Sequence, residues 1–398
     1  MNILVINSGS SSIKYSLMNM DTLSTACTGL IERIGEGVPG TATHKVKPGT
    51  PEAQKLTRSQ TFDDHRAGFK LMVELLEESE GQVNIDAIGH RVVQGGDIFK
   101  ESCLVTPKVV EQIRELIPLA PVHNAGHVQG METALELFPG VPEVAVFDTE
   151  FHQTMPPHVF LYPFPYKYYT DLKVRRYGFH GTSHRYVAKQ TAKAMGRELK
   201  DLNMITCHLG NGASISAIKN GLCFDTSMGL TPLAGIMMGS RCGDVDPSAV
   251  TFILQQLGIS PAELDKIMNK ESGLKGICGS NDMRDIETAL ERGDEQAKLA
   301  FDMFVYRIQK YLGSYYAVLG RVDALVFTAG IGENGPIARA AICAGLEHLG
   351  FKLDQTANDV KAREIIRISA PDSPTAIYVT PTNEELEIAQ LTMELVNR

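Results

Sequence analysis

Small polar residues and one lysine follow the first apolar stretch of the chain. Residues 2–17 read NILVINSGSSSIKYSL, so an apolar run meets a turn of glycine and serines before a second run that carries Lys14. Gly9 suits a tight turn, and the small side chains leave backbone N–H groups able to face an anion. Lys14 follows Ser12 by two residues, which places both on one face of a strand. The pattern predicts a phosphate-holding hairpin, although an ordinary N-terminal hairpin fits it equally well.

Residues 203–218 repeat this arrangement in the second half of the chain. The sequence NMITCHLGNGASISAI runs from an apolar strand through a small-residue turn at 210–212 into a second strand, and a third strand is expected at 222–226. Two similar hairpins in one chain indicate a duplicated domain, in which each half presents one loop to a shared ligand. Strand–glycine–strand sequences are also common in α/β proteins that are not duplicated.

A second set of residues could supply charge to a bound anion. Each follows or ends a predicted strand, or lies in a glycine-flanked loop, and α/β proteins place their ligands at such strand ends. A buried Arg–Asp pair or a structural histidine would explain any one of them taken alone. The shared placement makes them candidates for catalysis: Arg91, Asp148, His180 and Arg241.

Three glycines near the end of the chain form a literal G-x-G-x-x-G motif. Gly330, Gly332 and Gly335 follow an apolar strand and precede a predicted helix. That is the local context of a dinucleotide fingerprint. It equally suits an adenosine pocket, where glycines let a flat base and ribose approach the backbone. The sequence contains no G-x-x-x-x-G-K-[ST] motif, which argues against a P-loop NTPase.

The composition predicts a globular protein of two domains. The chain has 398 residues, of which 43% are hydrophobic and 21% are charged. That length exceeds the size at which single cores usually divide. The formal net charge is −9, which argues against nucleic acid as a partner.

The cysteines and the N-terminus predict a cytoplasmic protein. The seven cysteines are odd in number and form no C-x-x-C pair, so neither a zinc site nor a disulfide framework is indicated. The N-terminus lacks the basic and apolar segments of a signal peptide, and no apolar run is long enough to span a membrane.

Helices and strands alternate along the sequence, which predicts an α/β architecture. We place the boundary between the halves near 148–157, where HQTMPP interrupts regular structure. The apolar stripe of the helix at 294–319 is expected to be core. The helix that follows His180 should be capped by Thr182 or Ser183. Helices are expected at 63–80, 107–117, 124–137, 182–194, 247–257, 261–270, 283–292, 294–319, 336–348 and 383–396, and buried strands at 87–93, 143–147, 323–328 and 376–380.

A set of motifs resembles the acetate kinases, the acetokinase family, along essentially the whole chain. The motifs are NSGSSSIK, GHRVVQGG, PLAPVHN, FDTEFH, YGFHGTSHRYV, HLGNGASI, DTSMGLTPLAGIMMGSRCGDVDP, FTAGIGENG and PTNEELEIA, in this order. The resemblance implies an α/β fold of the actin, Hsp70 and sugar-kinase superfamily, with two duplicated ribonuclease H-like domains and a cleft between them. It also implies a homodimer. In each chain the first domain would comprise 1–150 plus 384–398, and the second would comprise 151–383.

The resemblance further implies a reaction and its ligands. ATP would transfer its γ-phosphoryl group directly and in line to acetate, reversibly, giving acetyl phosphate and ADP, with Mg²⁺ or Mn²⁺ as cofactor. The metal would be held by Asn7 and Glu384. ATP would be bound by Lys14, Ser10, Ser12, His208, Leu209, Gly210, Asn211, Gly212, Asp282, Met283, Arg284, Gly330, Ile331, Gly332, Glu333 and Asn334.

The family pattern also implies roles for the charged candidates. Arg91 would bind the acetate carboxylate, and Asp148 corresponds to the residue that is regarded as catalytic in the family. His180 and Arg241 would stabilise the transition state. The methyl group of acetate would be enclosed by Val93, Val122, Phe179 and Pro232.

Two positions depart from the family pattern. Glu150 stands where a small residue is expected, which raises a question about the electrostatics near Asp148. Val122 stands where leucine is expected, a change that would widen the acyl pocket by about one methylene group.

The substrate itself bears on the role of Asp148. A small carboxylic acid has a pKa of roughly 4–5 and is already ionised at neutral pH, so no base is needed. We therefore predict that Asp148 organises the metal or orients an arginine.

Three other functions share part of this evidence. A propionate kinase would have the same scaffold and mechanism, with a different acyl pocket. A nucleotide switch of the actin or Hsp70 type would share the fold, but it would direct transfer to water and carry a partner-binding module. A nicotinamide dehydrogenase depends only on the G-x-G-x-x-G motif.

Overall fold

Each half of the chain is built around one mixed β-sheet in the computed structural model, which describes residues 1–80 and 84–398. The side chains of Glu80 and Val122 also lie outside the described part. The residues form two units by their contacts. Unit 1 comprises Met1–Glu150 and Asn383–Arg398, and unit 2 comprises Phe151–Thr382.

The sheet of unit 1 has a meander of antiparallel strands on one side and parallel strands on the other. Its strands are β1 (Asn2–Ser8), β2 (Ser12–Asn19), β3 (Ser24–Glu32), β4 (Pro39–Val46), β5 (Gln54–Thr61), β6 (Ala87–Val92), β7 (Cys103–Leu104) and β8 (Glu143–Phe147). Their order is β5-β4-β3-β2-β1-β6-β8-β7. Strands β1, β6 and β8 are parallel, whereas β7 pairs with β8 in the antiparallel sense.

Two long helices of unit 1 cover one side of this sheet. The long helices are α1 (His65–Glu80) and α3 (Pro121–Leu137), and the shorter helix α2 (Pro107–Glu115) lies between them in the chain. Buried side chains of α1 and α3, among them Phe69 and Ala134, share one core with Ile6, Ile13 and Ile88 of the sheet. This packing brings α1 and α3 beside the turn between β1 and β2.

The sheet of unit 2 has the same topology as the centre of the first sheet. Its strands are β9 (Met204–Leu209), β10 (Ala213–Lys219), β11 (Leu222–Thr226), β12 (Ala324–Thr328), β13 (Ile366–Arg367) and β14 (Ala376–Val379). Their order, β11-β10-β9-β12-β14-β13, matches β3-β2-β1-β6-β8-β7 strand for strand, including the short antiparallel edge strand. The predicted α/β class and the duplication are therefore confirmed.

Helices connect and flank the strands of unit 2. They are α4 (Pro157–Phe160), α5 (Lys167–Leu172), α6 (Gly181–Ala194), α7 (Pro247–Leu257), α8 (Pro261–Lys270), α9 (Gly273–Cys278), α10 (Met283–Glu291), α11 (Glu295–Leu319), α12 (Ala329–Asn334), α13 (Pro336–Cys343) and α14 (Gln355–Asn358). The apolar stripe of α11 is core, as predicted, since Phe304, Ile308 and Leu312 are fully buried.

The last helix belongs to unit 1. Helix α15 (Glu384–Val396) packs on β6 so closely that a Cβ added to Gly89 would lie 2.5 Å from Thr392 Oγ1. It covers the face of the sheet opposite α1 and α3, where Ile388 and Ala389 join a core with Ile3, Val5 and Val146.

Every helix and strand predicted from the sequence is present, with small shifts at the ends. The helices predicted at 107–117 and 336–348 stop at Glu115 and Cys343, and short 3-10 turns at Ile117–Leu119 and Glu347–Leu349 follow them. Further 3-10 turns occur at Glu150–Thr154 and Leu199–Asp201. Among the described helices, none combines the length and apolar character that crossing a bilayer requires.

Candidate active site

The turn between β1 and β2 is fixed by contacts on several sides. Its closing hydrogen bond runs from the Gly9 N–H to the Ser12 carbonyl oxygen, 2.7 Å. The Gly9 carbonyl in turn accepts a hydrogen bond of 2.7 Å from His65 Nε2, at the start of α1. Ser10 is exposed at the tip of the turn, and Ser12 begins β2. We call residues 8–12 the first glycine turn.

A small cavity in unit 1 contains most of the charged residues predicted for this half. It lies at the ends of β1 and β6, beside the first turn of α15. Asn7 and Lys14 are direct partners across the β1–β2 ladder, so they project from the same face. The Lys14 ammonium forms an ion pair with Glu385. The cavity is lined by Val5, Asn7, Lys14, Tyr15, Ser16, Arg91, Glu384, Glu385 and Ile388.

Arg91 and Asp148 form a two-pronged ion pair next to this cavity. Arg91 Nε donates to Asp148 Oδ1 at 2.9 Å, and the second prong joins an Arg91 terminal nitrogen to Asp148 Oδ2 at 2.8 Å. The other terminal nitrogen of Arg91 lies 3.5 Å from Glu384 Oε2. Asp148 is 2% exposed. Both carboxylate oxygens of Asp148 are thus directed at the guanidinium.

The charges in this cavity offset one another. Burial alone would lower the pKa of Arg91, but the carboxylates of Asp148 and Glu384 outweigh it and raise that pKa. Burial alone would raise the pKa of Glu385, but the ion pair with Lys14 outweighs burial and keeps that pKa below its ordinary value. Arg91 and Glu385 therefore stay ionised at neutral pH, and each lies against a group of opposite sign, Glu384 and Lys14 respectively.

Glu150, which departs from the family pattern, begins the 3-10 turn that follows β8 and Asp148. Its Oε2 accepts a hydrogen bond of 2.6 Å from Ser102 Oγ, and the residue is 7% exposed. Burial, with a further contribution from Glu150, raises the pKa of Cys103 to about 11. Glu150 thus accepts a hydrogen bond from Ser102 and contributes to the raised pKa of Cys103.

The residues predicted to hold a metal ion fit a magnesium site of the kind found in kinases. Asn7 and Glu384 line the same cavity and offer one amide and one carboxylate oxygen donor. Mg²⁺ usually takes only one or two protein ligands and completes its octahedron with water and substrate phosphates. Within residues 1–80 and 84–398, no group of three or more His, Cys, Asp or Glu side chains forms a preassembled metal site.

In unit 2, His180 occupies a strained position at the start of α6. Its φ is +58°, in the left-handed region, and it is itself the N-cap residue, so the predicted caps Thr182 and Ser183 are wrong. Both of those residues lie inside the first helical turn because the chain enters the helix through Gly181. A non-glycine residue with this backbone conformation costs of order 1 kcal/mol or more and often marks a functional site.

The His180 ring is held by two neighbours. Nδ1 lies 2.9 Å from Ser214 Oγ on β10, and the ring stacks on His208, with centroids 4.2 Å apart. His208 is the last residue but one of β9, and its Nδ1 lies 2.8 Å from Ser183 Oγ. These contacts leave the Nε2 edge of His180 directed at the turn formed by residues 210–212.

Arg241 approaches the same turn from another loop. A Cβ on Gly212 would lie 3.6 Å from both an Arg241 terminal nitrogen and His180 Nε2. The Arg241 guanidinium donates to the Pro232 carbonyl oxygen at 3.0 Å. Burial lowers the pKa of Arg241, but an arginine stays charged at neutral pH. The structure thus brings together His180, Gly212 and Arg241, three residues to which the family resemblance gave separate roles.

A second cavity, of about 680 Å³, lies in unit 2 between the ends of β9 and β12 and the start of α10. We call it the nucleotide cavity because it contains residues that the family resemblance assigned to ATP. Its size is that of a typical small-molecule pocket. Eight residues that the sequence assigned to ATP line it: Gly210, Asn211, Asp282, Met283, Arg284, Gly330, Ile331 and Asn334. The sequence reasoning missed Asn281, Glu287, Pro336, Ile337 and Lys361, which also line it and belong to no recognisable motif.

The G-x-G-x-x-G segment differs from the expected loop. Residues 329–334 form helix α12, so the motif is helical rather than an open phosphate loop. Gly330 faces open space, whereas a Cβ on Gly332 would meet the Phe327 backbone at 3.3 Å. The Glu333 carboxylate accepts hydrogen bonds from the backbone N–H groups of Ala329 and Thr382, at 2.9 and 3.0 Å. Gly332 and Glu333 are therefore directed at the protein, unlike Gly330.

Asp282 caps helix α10 at the rim of the nucleotide cavity. Its carboxylate accepts from the Arg284 backbone N–H and from the Arg284 guanidinium. These hydrogen bonds from Arg284 lower the pKa of Asp282 to about 2. Arg284 itself is mostly exposed, so its guanidinium can reach a bound ligand.

The predicted acyl-pocket residues are divided between the units. Val93 lies in unit 1 and Phe179 in unit 2, and both are buried, whereas Pro232 is half-buried. The side chain of Val122 lies outside the described part of the structure. Leu209, one of the residues assigned to ATP, is fully buried in β9.

Comparison with known proteins gives matches over the whole chain. A model of the acetokinase family matches residues 2–390. The acetate kinase of Nitratidesulfovibrio vulgaris (strain DP4) is 55% identical, with 100% of both chains covered. Among solved structures, the acetate kinase of Porphyromonas gingivalis is 41% identical with a TM-score of 0.94, and 99% of each chain is covered. The propionate kinase of Francisella tularensis subsp. tularensis SCHU S4 is 42% identical with a TM-score of 0.92, again over 99% of each chain.

Proposed function

The chain belongs to the acetokinase family, and we propose on that premise that it phosphorylates acetate reversibly with ATP, giving acetyl phosphate and ADP. The observation that carries the proposal is the Arg91–Asp148 pair at a cavity that also holds Lys14 and Glu384. A planar guanidinium held in one orientation suits a carboxylate substrate. The other kinase parts, the nucleotide cavity and the His180–Arg241 cluster, support the same reaction.

Repulsion between two anionic substrates is the first obstacle that such an enzyme meets. Arg91 and Lys14 in unit 1 and Arg241 in unit 2 supply positive charge against it. The acetate carboxylate is already ionised at neutral pH, since its pKa is roughly 4–5, so no residue has to remove a proton. Asp148 instead fixes the rotation of the Arg91 guanidinium through two hydrogen bonds. The substrate would then meet the other terminal nitrogen, which lies 3.5 Å from Glu384.

Charge on the transferring phosphoryl group spreads over three oxygens in the transition state, and donors at fixed positions stabilise it. His180 and Arg241 are suited to this role because both are directed at Gly212, in the turn formed by residues 210–212. Ser214 holds the Nδ1 side of His180, which directs the Nε2 side at the turn of residues 210–212, and Nε2 would donate when it carries the proton. The strained backbone at His180 is consistent with a side chain placed for function.

The nucleotide cavity would hold adenosine. Gly330 and Gly210 allow a flat base and ribose to approach the backbone, and Met283 and Ile331 offer apolar contact. His208 through Gly212 in unit 2, and Ser10, Ser12 and Lys14 in unit 1, would bind the phosphates. Leu209, Gly332 and Glu333 would contribute only through their backbone or through packing, since their side-chain positions face the protein.

Asn7 and Glu384 would hold Mg²⁺, or Mn²⁺ in its place. Bound there, the ion would offset negative charge on the ATP phosphates. Glu384 lies 3.5 Å from Arg91, so the residues that neutralise phosphate and carboxylate share one electrostatic network.

We extend the proposal to the domains, the assembly and the compartment. The first domain would comprise 1–150 with 384–398, and the second 151–383. A homodimer follows from the family resemblance, and the exposed Phe252 and Leu257 of α7 offer apolar surface for such a contact. A cytoplasmic location agrees with the seven free cysteines, because thiols persist in reducing compartments.

Propionate phosphorylation is the second candidate, because a propionate kinase matches the structure almost as closely as an acetate kinase does. The two functions differ only in the acyl pocket. Val93 forms a stiff wall in unit 1, since a β-branched side chain has few rotamers. We therefore place acetate first and propionate second.

One assay separates these functions. The protein is incubated with ATP and Mg²⁺ plus acetate, propionate or no acid, and acyl phosphate is trapped with hydroxylamine. A higher kcat/KM with acetate supports the proposal, and a higher kcat/KM with propionate moves the function to the alternative. ATP hydrolysis without acyl phosphate would instead indicate a nucleotide switch, and tight NADH binding without ATP binding would indicate a dehydrogenase.

A further inference from the structure

The first glycine turn accepts a hydrogen bond from a histidine to which the family resemblance assigns no role. His65 is 4% exposed, and its Nε2 lies 2.7 Å from the Gly9 carbonyl oxygen. A carbonyl oxygen can only accept a hydrogen bond, so Nε2 must carry the proton. His65 is the first residue of α1, a helix anchored in the unit 1 core through Phe69 and Met72. The Gly9 carbonyl is therefore tied to a rigid element.

Helix α3 contacts the same peptide from another direction. An ideal Cβ on Gly126 would lie 2.5 Å from the Gly9 carbonyl oxygen, 2.7 Å from its carbon and 3.1 Å from the Ser10 nitrogen. One helical turn later, a Cβ on Gly130 would lie 2.6 Å from Ser8 Cβ. These two glycines let the backbone of α3 lie flat against the first glycine turn, where any side chain would displace it.

The direction of the Ser10 N–H follows from the geometry of one peptide bond. The described backbone contains no cis peptide, so in the planar Gly9–Ser10 unit the carbonyl oxygen and the amide hydrogen point in opposite directions. His65 draws the oxygen towards α1, and Gly126 covers the face of the plane. The Ser10 N–H must then point away from α1, and Ser10 itself is exposed.

We propose that His65 and Gly126 form a clamp that orients the Gly9–Ser10 peptide so that the Ser10 N–H donates to a phosphate of the bound nucleotide. His65 is a positioning residue in this proposal, because it acts through the peptide and does not touch the substrate. The proposal rests on the kinase function proposed above. A preorganised backbone donor is effective because it needs no reorientation when the anion arrives.

The test compares two substitutions of His65 in the full-length protein. His65→Gln keeps an N–H donor at about the position of Nε2, whereas His65→Leu keeps the bulk and removes the donor. We expect His65→Leu to lower kcat/KM for ATP about 10- to 100-fold, as loss of a supporting hydrogen bond does in other sites. His65→Gln should recover most of that loss. The KM for acetate and the inhibition constant of adenosine, which has no phosphate, should remain unchanged in both variants.

Gly126→Ala supplies an independent arm. Its added methyl group would displace the Gly9–Ser10 peptide, so kcat/KM for ATP should fall as in His65→Leu. The control is Gly313→Ala on α11, where an added Cβ meets nothing within 4 Å, and its kinetics should be those of the wild type. If Gly126→Ala does not fold, the His65 pair decides.

The outcomes separate the clamp from the function on which it rests. A wild type that forms no acyl phosphate overturns the kinase proposal itself. An active wild type with unchanged ATP kinetics in His65→Leu overturns the clamp. Equal losses in folded His65→Leu and His65→Gln also overturn it, because the donor would then be irrelevant. A matching rise in the adenosine inhibition constant would assign His65 to general stability and overturn the phosphate role.

Discussion

Replacing Asp148 by asparagine tests whether this residue orients Arg91 or acts as a base. The substitution keeps the shape of the side chain and one acceptor oxygen, so one of the two hydrogen bonds from Arg91 survives. The other carboxylate oxygen, 2.8 Å from an Arg91 terminal nitrogen, becomes either an N–H₂ group facing another donor or a rotated amide. The guanidinium then loses its fixed rotation, and it also loses the negative charge of Asp148, one of the two carboxylates that offset its positive charge.

The size of the effect follows from the contacts. A hydrogen bond between charged groups contributes about 1.5–3 kcal/mol, and breaking a fully buried ion pair costs about 3–5 kcal/mol. Arg91 is 20% exposed, and Glu384 remains 3.5 Å away, so the lower part of this range applies. We expect a loss of about 2–3 kcal/mol, which is roughly a 30- to 160-fold decrease in kcat/KM for acetate.

The assay measures acyl phosphate formation with acetate and ATP varied separately. The KM for ATP should change little, because the loss falls on Arg91, the arginine proposed to bind the acetate carboxylate. The matched control is Asp323→Asn, which removes a second Arg-paired aspartate, 3.0 Å from Arg197 in unit 2. That variant should lose stability without a change in the KM for acetate.

Two results would refute this reasoning. Near-normal kcat/KM for acetate in Asp148→Asn, with unchanged magnesium dependence, would show that Arg91 needs no orienting partner. A loss of kcat beyond about 10⁴-fold with an unchanged KM for acetate would indicate proton transfer by Asp148, which the ionisation of acetate makes unnecessary.

Gly330→Leu should raise the KM for ATP at least tenfold, because its side chain enters the nucleotide cavity, whereas Gly332→Leu should chiefly lower the melting temperature, because it meets the backbone of β12; steady-state kinetics and thermal denaturation separate the two. Arg241→Lys should retain only a small part of kcat, since an ammonium cannot reproduce the planar fork, and wild-type kcat would remove Arg241 from the site. Val93→Ala should raise kcat/KM for propionate relative to acetate by about 1–3 kcal/mol, and an unchanged ratio in the trapping assay would place the acyl pocket elsewhere. Burial lowers the pKa of His127 to about 3, below the ordinary 6.5, so the unfolded chain takes up the proton first as the pH falls. The free energy of unfolding should then decrease by about 1.4 kcal/mol per pH unit between about pH 6.5 and about pH 3, and urea titrations of His127→Leu should show a slope that is smaller by this amount within that window.

The hairpins and the parallel strands could be predicted because their signals are local. An apolar run followed by small residues, as at 203–218, specifies a strand and its turn without reference to the rest of the chain. The duplication followed from the repetition of that signal, and the identical strand orders of the two sheets confirm it. The motif resemblance led to the family for the same reason, since each motif lies within a short segment.

Elements whose sequences carry mixed signals were missed. Strands β3 to β5 are half-exposed or exposed along much of their length, so polar and apolar residues do not alternate cleanly in them. Helix α12 was read as a glycine loop because glycine disfavours helix by about 1 kcal/mol. Its position at the end of β12, with the Glu333 carboxylate bonded to the Ala329 N–H, outweighs that preference.

The candidate site could be predicted only where a residue belongs to a motif. Arg91 and Asp148 were found separately, but their hydrogen bonds join a residue of β6 to the residue that follows β8, and they depend on the parallel register of these strands. Lys361 and Glu287 reach the nucleotide cavity from segments that contain no glycine or turn signature. His65 was missed because its partner is a backbone carbonyl, which any sequence would provide.

The return of α15 to unit 1 has a consequence for how the protein is made. A ribosome synthesises all of unit 2, Phe151–Thr382, before it reaches the helix that completes unit 1. At about 5–20 residues per second this takes on the order of 10–50 s. Throughout that time the sheet face around Ile3, Val5 and Val146, which α15 later covers, has no partner. The nascent chain therefore exposes an apolar surface for chaperones, and Glu384, the proposed metal ligand, joins unit 1 only after all of unit 2 has been made.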